Sequence, residues 1–330
     1  MAELVLAIAT SHSPTLLMEP GAWLARGKSD DVSVHALYDF DGKRVTYDEL
    51  VAKAPAGMAD EISAEVLAER HARNQAGIAE TKRLLQEARP DLVIMIADDH
   101  WEVFKDDNMP MISVHWGEKL PYIPEGIMVW KYDETLRQAD WYPQEEKEYP
   151  VDSARAKRLL GDLIARKFDV SHTKYYREGQ GMTHAFAYVY TRVMDDVVYP
   201  VIPVSINTYF PPNQIPARRA FELGAAIREA IESWDEPLRV AVIATGGLSH
   251  FVVDEKFDRE FLDLMEKDDV ELHAALPEAK LQSGNSEFRC WSALAGVVSG
   301  MKMNLIDYIP CYRSPAGTGC GMAFATWEKK

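Results

Sequence analysis

The chain has 330 residues, 47% of them hydrophobic, with 36 Lys and Arg against 52 Asp and Glu for a formal net charge of −16. That length and composition supply a sizeable buried core and exclude disordered, collagenous and disulfide-built chains. The acidity repels phosphate backbones and anionic lipid faces, so neither nucleic acid nor membrane is expected as a partner.

The first predicted element is a buried strand over residues 4–10 (LVLAIAT); Glu3 precedes it, and the run is too short to span a membrane. Residues 17–60 read as an irregular, inserted stretch carrying Trp23, Tyr38, Phe40 and Tyr47, and are expected to cover a site. A helix follows over 61–89, with Ala64, Leu67, Ile78, Leu85 and Ala88 on one seam and Pro90 as its stop. Residues 92–97 (LVIMIA) form a second buried strand. A second irregular stretch, 116–150, holds Trp116, Tyr122, Trp130, Tyr132, Trp141 and Tyr142 and is expected to cover a site.

Next come a helix over 153–166 capped by Asp152 or Ser153, and a strand over 198–206 whose prolines point to an edge position. Helix 216–233 leads to a fourth apolar strand, 238–245 (LRVAVIAT). Helices over 255–267 and 287–299 and strands near 304–309 and 321–327 complete the pattern. The four apolar runs are nearly continuous, as in strands covered on both faces. Strands alternating with helices predict one α/β domain over 1–330, with a mostly parallel or mixed central sheet flanked by helices. Three cysteines, Cys290, Cys311 and Cys320, make no disulfide framework and predict a reduced, cytoplasmic setting.

Three of nine histidines share one place in this plan. His12, His100 and His250 each follow an apolar strand, in Thr10-Ser11-His12, Ala97-Asp98-Asp99-His100 and Thr245-Gly-Gly-Leu-Ser-His250. Ligands of open α/β sheets bind at strand carboxyl ends, so three imidazoles there can converge. His184 sits in a glycine-bearing loop, whereas His35, His71, His115, His172 and His273 read as structural. Glu287, with Ser286 as the expected cap, shares a helical face with Cys290, Trp291, Leu294 and Val298. A carboxylate on a buried face needs a cation, a donor set or a metal. Two histidines and a carboxylate with open positions suit non-heme Fe(II), and the same ligand types serve catalytic zinc. No P-loop, dinucleotide fingerprint, HExxH or GxSxG motif occurs.

The pieces Ser11-His12-Ser13-Pro14, Asp99-His100, Thr183-His184, Asn207-Thr208-Tyr209 with Pro211-Pro212, Gly246-Gly-Leu-Ser-His250, Ser283-Gly284 leading to Glu287, and Ser314 to Met322 run in the order of a known family. The chain resembles the class III extradiol ring-cleavage dioxygenases, including their protocatechuate- and gallate-type members. The resemblance implies Fe(II) held by His12, His100 and Glu287, His250 as the acid–base residue and His184 as a second pocket histidine. It further implies a catechol- or gallate-type acid as substrate: protocatechuate, gallate, 3-O-methylgallate or another lignin-derived catechol. O2 is the co-substrate. Apart from the resemblance, a homo-oligomer is expected, with a dimer as the guess. The Gly317, Thr318 and Gly319 segment and Arg313 are the expected contacts for the substrate acid group. The alternatives are a zinc hydrolase and a non-enzymatic relative on the same scaffold.

Overall fold

The computed structural model describes residues 1–31, 36–124, 145–195 and 197–328. Among these, one nine-stranded sheet comprises β1 (Glu3–Thr10), β2 (Leu92–Ala97), β3 (Ile112–His115), β4 (Ser171–Thr173), β5 (Val201–Ile206), β6 (Arg239–Thr245), β7 (His250–Val252), β8 (Lys302–Tyr312) and β9 (Thr318–Glu328). Its order is β7-β9-β1-β6-β2-β5-β3-β4, and β8 pairs with β9 as well. The four apolar runs are the parallel centre: β1 lies beside β6, β6 beside β2 and β2 beside β5. They are buried almost throughout, which explains the lack of alternation in their sequences. The mixed sheet arises because β9 runs antiparallel to β1 and β3 antiparallel to β5.

The principal helices are α1 (Ala64–Ala88), α2 (Ser153–Ala165), α3 (His184–Tyr188), α4 (Ala217–Glu232), α5 (Glu255–Met265) and α6 (Phe288–Val297). Arg89, at φ 42°, ends α1 just before Pro90. The Asp152 side chain caps α2 by accepting the Arg155 amide. Helices α4 and α6 pack on one another, and α6 also packs on β1, β2 and β6. Trp291 of α6 is fully buried, and its indole N–H donates to the Gly246 carbonyl at 2.8 Å, tying this helix to the end of β6.

Several expectations change. Strand β5 starts at Val201 rather than 198 and is internal, between β2 and β3. Its Pro203 is tolerated because β3 pairs only with residues 204–206, so that side of the strand is unladdered at the proline. Stretch 17–60 is not wholly irregular: it contains helices Pro20–Gly27 and Tyr47–Lys53 and a two-stranded pair, Leu37–Tyr38 with Arg44–Val45. Stretch 116–150 contains the pair Lys119–Tyr122 and Lys147–Pro150. His35, Trp130, Tyr132, Trp141 and Tyr142 lie outside the described residues. Ser286 does not cap α6. Residues Ser283–Glu287 form a tight 3-10 turn that leads into the helix, and the Ser286 hydroxyl turns to Thr208 at 3.3 Å.

Candidate metal centre

The parallel centre brings three strand ends together. Thr10, Ala97 and Thr245 end β1, β2 and β6, and the chain continues from them to His12, to Asp98 and His100, and to Gly246. The Gly246 amide donates to the Thr10 carbonyl at 3.0 Å, which locks two of these ends side by side. His12 is 1% exposed, and its Nδ1 lies 3.0 Å from the Thr245 hydroxyl, so Nε2 turns toward the carboxylates. That Nε2 stands 3.6 Å from Glu287 Oε2 and 4.0 Å from Asp98 Oδ1. His100 Nε2 lies 2.9 Å from Asp98 Oδ2 and 3.3 Å from Glu287 Oε1. His250 Nε2 is 3.1 Å from Glu287 Oε1, while its Nδ1 faces the Leu248 carbonyl at 2.8 Å.

Glu287, 2% exposed, is therefore the hub. Its Oε2 also accepts the Gly247 amide at 2.5 Å. The turns around it need glycine. A Cβ on Gly284 would fall 2.1 Å from the His250 ring, and one on Gly247 would fall 2.8 Å from it. The buried face expected for Glu287 is real but broader than the sequence pattern implies, because every residue of α6 is buried.

The electrostatics are those of a buried carboxylate pair among imidazoles. Burial pushes His12 down to about 4, despite the opposing pull of Glu287. Burial also works against protonation of His100 and His250, yet the Asp98 and Glu287 carboxylates hold His100 well above its ordinary value, and Glu287 with Cys320 does the same for His250. Burial disfavours the Glu287 anion, but His250, His12 and His100 overcome this and hold its carboxyl well below the usual range. The carboxylates favour the protonated forms of His100 and His250, and a divalent cation would balance the same charge with neutral imidazoles. One ligand atom each from His12, Asp98 and Glu287 lies within 4.8 Å of the others, and Asp98 Oδ1 is buried with no hydrogen-bond partner among the described residues. An orphaned carboxylate oxygen among inward-turned nitrogens fits a hard or borderline divalent metal.

His184, at the start of α3, completes the cluster. Its ring centroid is 4.9 Å from that of His12 and 5.0 Å from that of His100. It is held from outside by Glu102, which sequence reasoning missed. Asp99 accepts the amides of Glu102, Val103 and Phe104 and folds residues 99–104 into a turn that aims Glu102 at His184. Asp98 and Thr208 were missed too, the second donating its hydroxyl to Asp98 Oδ2 at 3.2 Å. Asp98 could have been found from its place directly after a buried strand. Thr208 stood inside the Asn207-Thr208-Tyr209 motif, whereas Glu102 carried no comparable sequence signal.

The segment expected to meet an acid group is structured differently. Arg313 Nε and Nη2 donate to the two oxygens of Asp30 at 2.8 and 2.9 Å, and both residues are buried. The Thr318 hydroxyl bonds to Asp30 and to Ser314, and the Gly317 amide donates to the Ser314 carbonyl. Gly319 pairs with Phe251, the residue after His250, in the β7–β9 ladder. The Arg313 guanidinium is 5.8 Å from the Phe251 ring. Thus the segment borders the centre, but Asp30 already holds its cationic and hydroxyl groups. Of the remaining histidines, His71 lies on α1, His115 is buried in β3, and His172 is exposed in β4. His273 is buried against Phe221 and Phe261, with Nδ1 3.0 Å from the Ser292 hydroxyl.

The model of the catalytic LigB subunit of aromatic ring-opening dioxygenase matches residues 61–322. Gallate dioxygenase of Pseudomonas putida is 33% identical over 181 residues, 51% of this chain and 51% of that protein. The 2,3-dihydroxyphenylpropionate/2,3-dihydroxicinnamic acid 1,2-dioxygenases of Paraburkholderia phymatum and Comamonas testosteroni are 30% and 24% identical, over 52% of this chain and 49% and 47% of theirs. The chain spans about half the length of the curated relatives it matches. A solved structure of an uncharacterized protein from Escherichia coli K12 superposes with a TM-score of 0.52 over 98% of this chain and 99% of that one. At 15% identity that likeness shows the fold alone.

Proposed function

The chain belongs to the family of catalytic subunits of aromatic ring-opening dioxygenases, and from that membership we propose that it is a non-heme Fe(II) extradiol dioxygenase acting on a catechol- or gallate-type aromatic acid. The observation that carries this reading is the convergence of His12, Asp98, His100 and Glu287 at the carboxyl ends of β1, β2 and β6. His12, His100 and Glu287 are the proposed iron-holding residues, a two-histidine, one-carboxylate set that leaves room for a diol and O2. Asp98 meets the same His100 nitrogen that faces Glu287, so it competes with iron for that imidazole and with that imidazole for the third ligand place. Bound Fe(II) would lower the pKa of a chelated phenol and provide the place where O2 reacts.

The chain's own groups handle protons and orientation. His250 is the proposed acid–base residue. His250 Nδ1–H donates a hydrogen bond to the Leu248 carbonyl, which turns Nε2 into the centre beside Glu287. His184 is the second pocket histidine, oriented by Glu102. The substrate's acid group is proposed to lie toward Arg313, Gly317, Thr318 and Gly319, where Phe251 leads from His250 to the Asp30–Arg313 pair, and it would have to share Arg313 and Thr318 with Asp30.

The test is oxygen uptake by the full chain with a panel of aromatic vicinal diols, after anaerobic loading with Fe(II) or Zn(II). The expected result is diol-dependent O2 consumption with iron only and a yellow ring-opened product. Full activity of the zinc-loaded protein, or no O2 uptake with any diol, would overturn the reading.

A further inference from the structure

We infer that Tyr209 is a substrate-contacting residue of this centre, its phenol O–H donating a hydrogen bond to an oxygen of the bound aromatic diol. The inference rests on the ring-opening reading above. Tyr209 follows β5, the fourth of the central parallel strands, and so stands at the same edge of the sheet as His12, His100 and His250.

Its backbone is pinned by side chains on both sides. Asn207 accepts the Phe210 amide at 2.9 Å and donates to the Phe210 carbonyl at 2.7 Å. Gln214 donates to the Thr208 and Tyr209 carbonyls at 2.9 and 3.1 Å. Thr208, one residue earlier, bonds to both Asp98 and Ser286. A loop held in this way presents a side chain in one orientation.

The Tyr209 ring is equally constrained. It lies 4.7 Å from the His100 ring and 5.3 Å from Phe210, which stacks on Trp101 at 4.5 Å and 7°. Yet the hydroxyl's described partner is only the Ser283 hydroxyl, at 3.4 Å. Good O–H···O bonds are about 2.7–2.8 Å long, so this long contact leaves the half-buried hydroxyl able to turn to a better acceptor. An ionised or ionising phenol oxygen is a far better acceptor than a serine hydroxyl. The bland alternative is that Tyr209 merely steadies, through Ser283, the turn that carries Glu287.

The experiment compares Tyr209→Phe, which keeps the ring, with Ser283→Ala, which removes the described partner. Both are made in the full chain and loaded anaerobically with Fe(II). The probe is 4-nitrocatechol, whose visible spectrum reports binding and ionisation, with steady-state O2 uptake as a second readout. Tyr209→Phe should keep its iron and melting temperature, bind 4-nitrocatechol roughly 10- to 100-fold more weakly, as for a lost hydrogen bond to a charged group, and change the spectrum of the bound probe. Ser283→Ala should match the wild type. Wild-type affinity and spectrum in Tyr209→Phe would overturn the inference alone, as would the same defect in Ser283→Ala. Failure of the wild type to bind or open any diol would overturn the ring-opening reading, and this inference with it.

Discussion

His184 directs its backbone N–H and its ring Nδ1 to the same oxygen of Glu102, at 3.0 and 2.9 Å. One buried carboxylate thereby sets both the start of α3 and the orientation of an imidazole packed against His12 and His100. Burial disfavours the Glu102 anion, yet His184 and His100 hold its carboxyl below the usual range. Glu102→Gln preserves the shape and removes the charge. Turnover should fall about 10- to 100-fold while bound iron stays at the wild-type level, as expected for loss of orientation in an acid–base group. Metal analysis alongside kcat checks this; loss of iron would move Glu102 into the metal-holding set.

His250→Phe removes a proton-handling group and no proposed ligand. Iron should remain and turnover should drop by about 10²- to 10⁴-fold. Iron loss in this variant would show that His250 holds the metal, which its 3.1 Å approach to Glu287 makes a direct question.

Glu287→Gln tests the hub. The amide oxygen can still accept the Gly247 N–H, but the charge facing three imidazoles is gone. Iron and activity should vanish, with the protein still folded. If Glu287 were only a structural acceptor, iron and activity would survive with a loss of about 1–3 kcal/mol in stability. In parallel, His100→Gln should cost far more iron than Asp98→Asn, and the reverse order would give Asp98 the third ligand place.

Asp30 and Arg313 form a buried bidentate pair, with Arg26 on the same carboxylate at 2.6 Å. Burial disfavours the Asp30 anion, but Arg313, Arg26 and Thr318 outweigh this and lower its pKa. Removing one partner of a buried pair strands the other, so Asp30→Ala should destabilise the fold by about 3–5 kcal/mol. A depressed carboxyl pKa gives stability that is present above the unfolded value, near 3.9, and is lost as pH falls through the folded one. The variant should therefore lose less stability than the wild type on acidification below that value. Denaturant melts at several pH values measure both effects.

His273 gives a pH effect of a different origin. Burial pushes it down to about 4 from an ordinary 6.5. Between those values the unfolded chain binds the proton that the native chain refuses, so stability rises with pH across this window and levels off above it. The wild type should lose on the order of 3 kcal/mol from this group between pH 6.5 and 4. His273→Gln should show a flatter profile by the same amount; an unchanged slope in denaturant melts would contradict the assignment.

Much of this protein is legible in one dimension. Continuous apolar runs mark β1, β2, β5 and β6 as strands buried on both faces, because only a covered parallel sheet tolerates such sequences. Histidines placed directly after such runs point to the ligand-binding edge of an α/β sheet. The order of the short motifs led to the family. Other features needed the third dimension. Asp98 and His100 are two residues apart, and only the turn geometry shows that both approach Glu287's end of the cluster. Glu102 and His184 are 82 positions apart, and Asp30 and Arg313 are 283 apart. Local periodicity carries no signal for such pairs, because their contact is made by the packing of whole elements. The internal place of β5 despite Pro203 was decided in the same way, by where its neighbour's ladder stops. Sequence pattern determined which segments are buried strands and which residues end them; the crossing of those strands in one sheet decided which side chains meet, because burial is a property of each segment and proximity a property of the assembled fold.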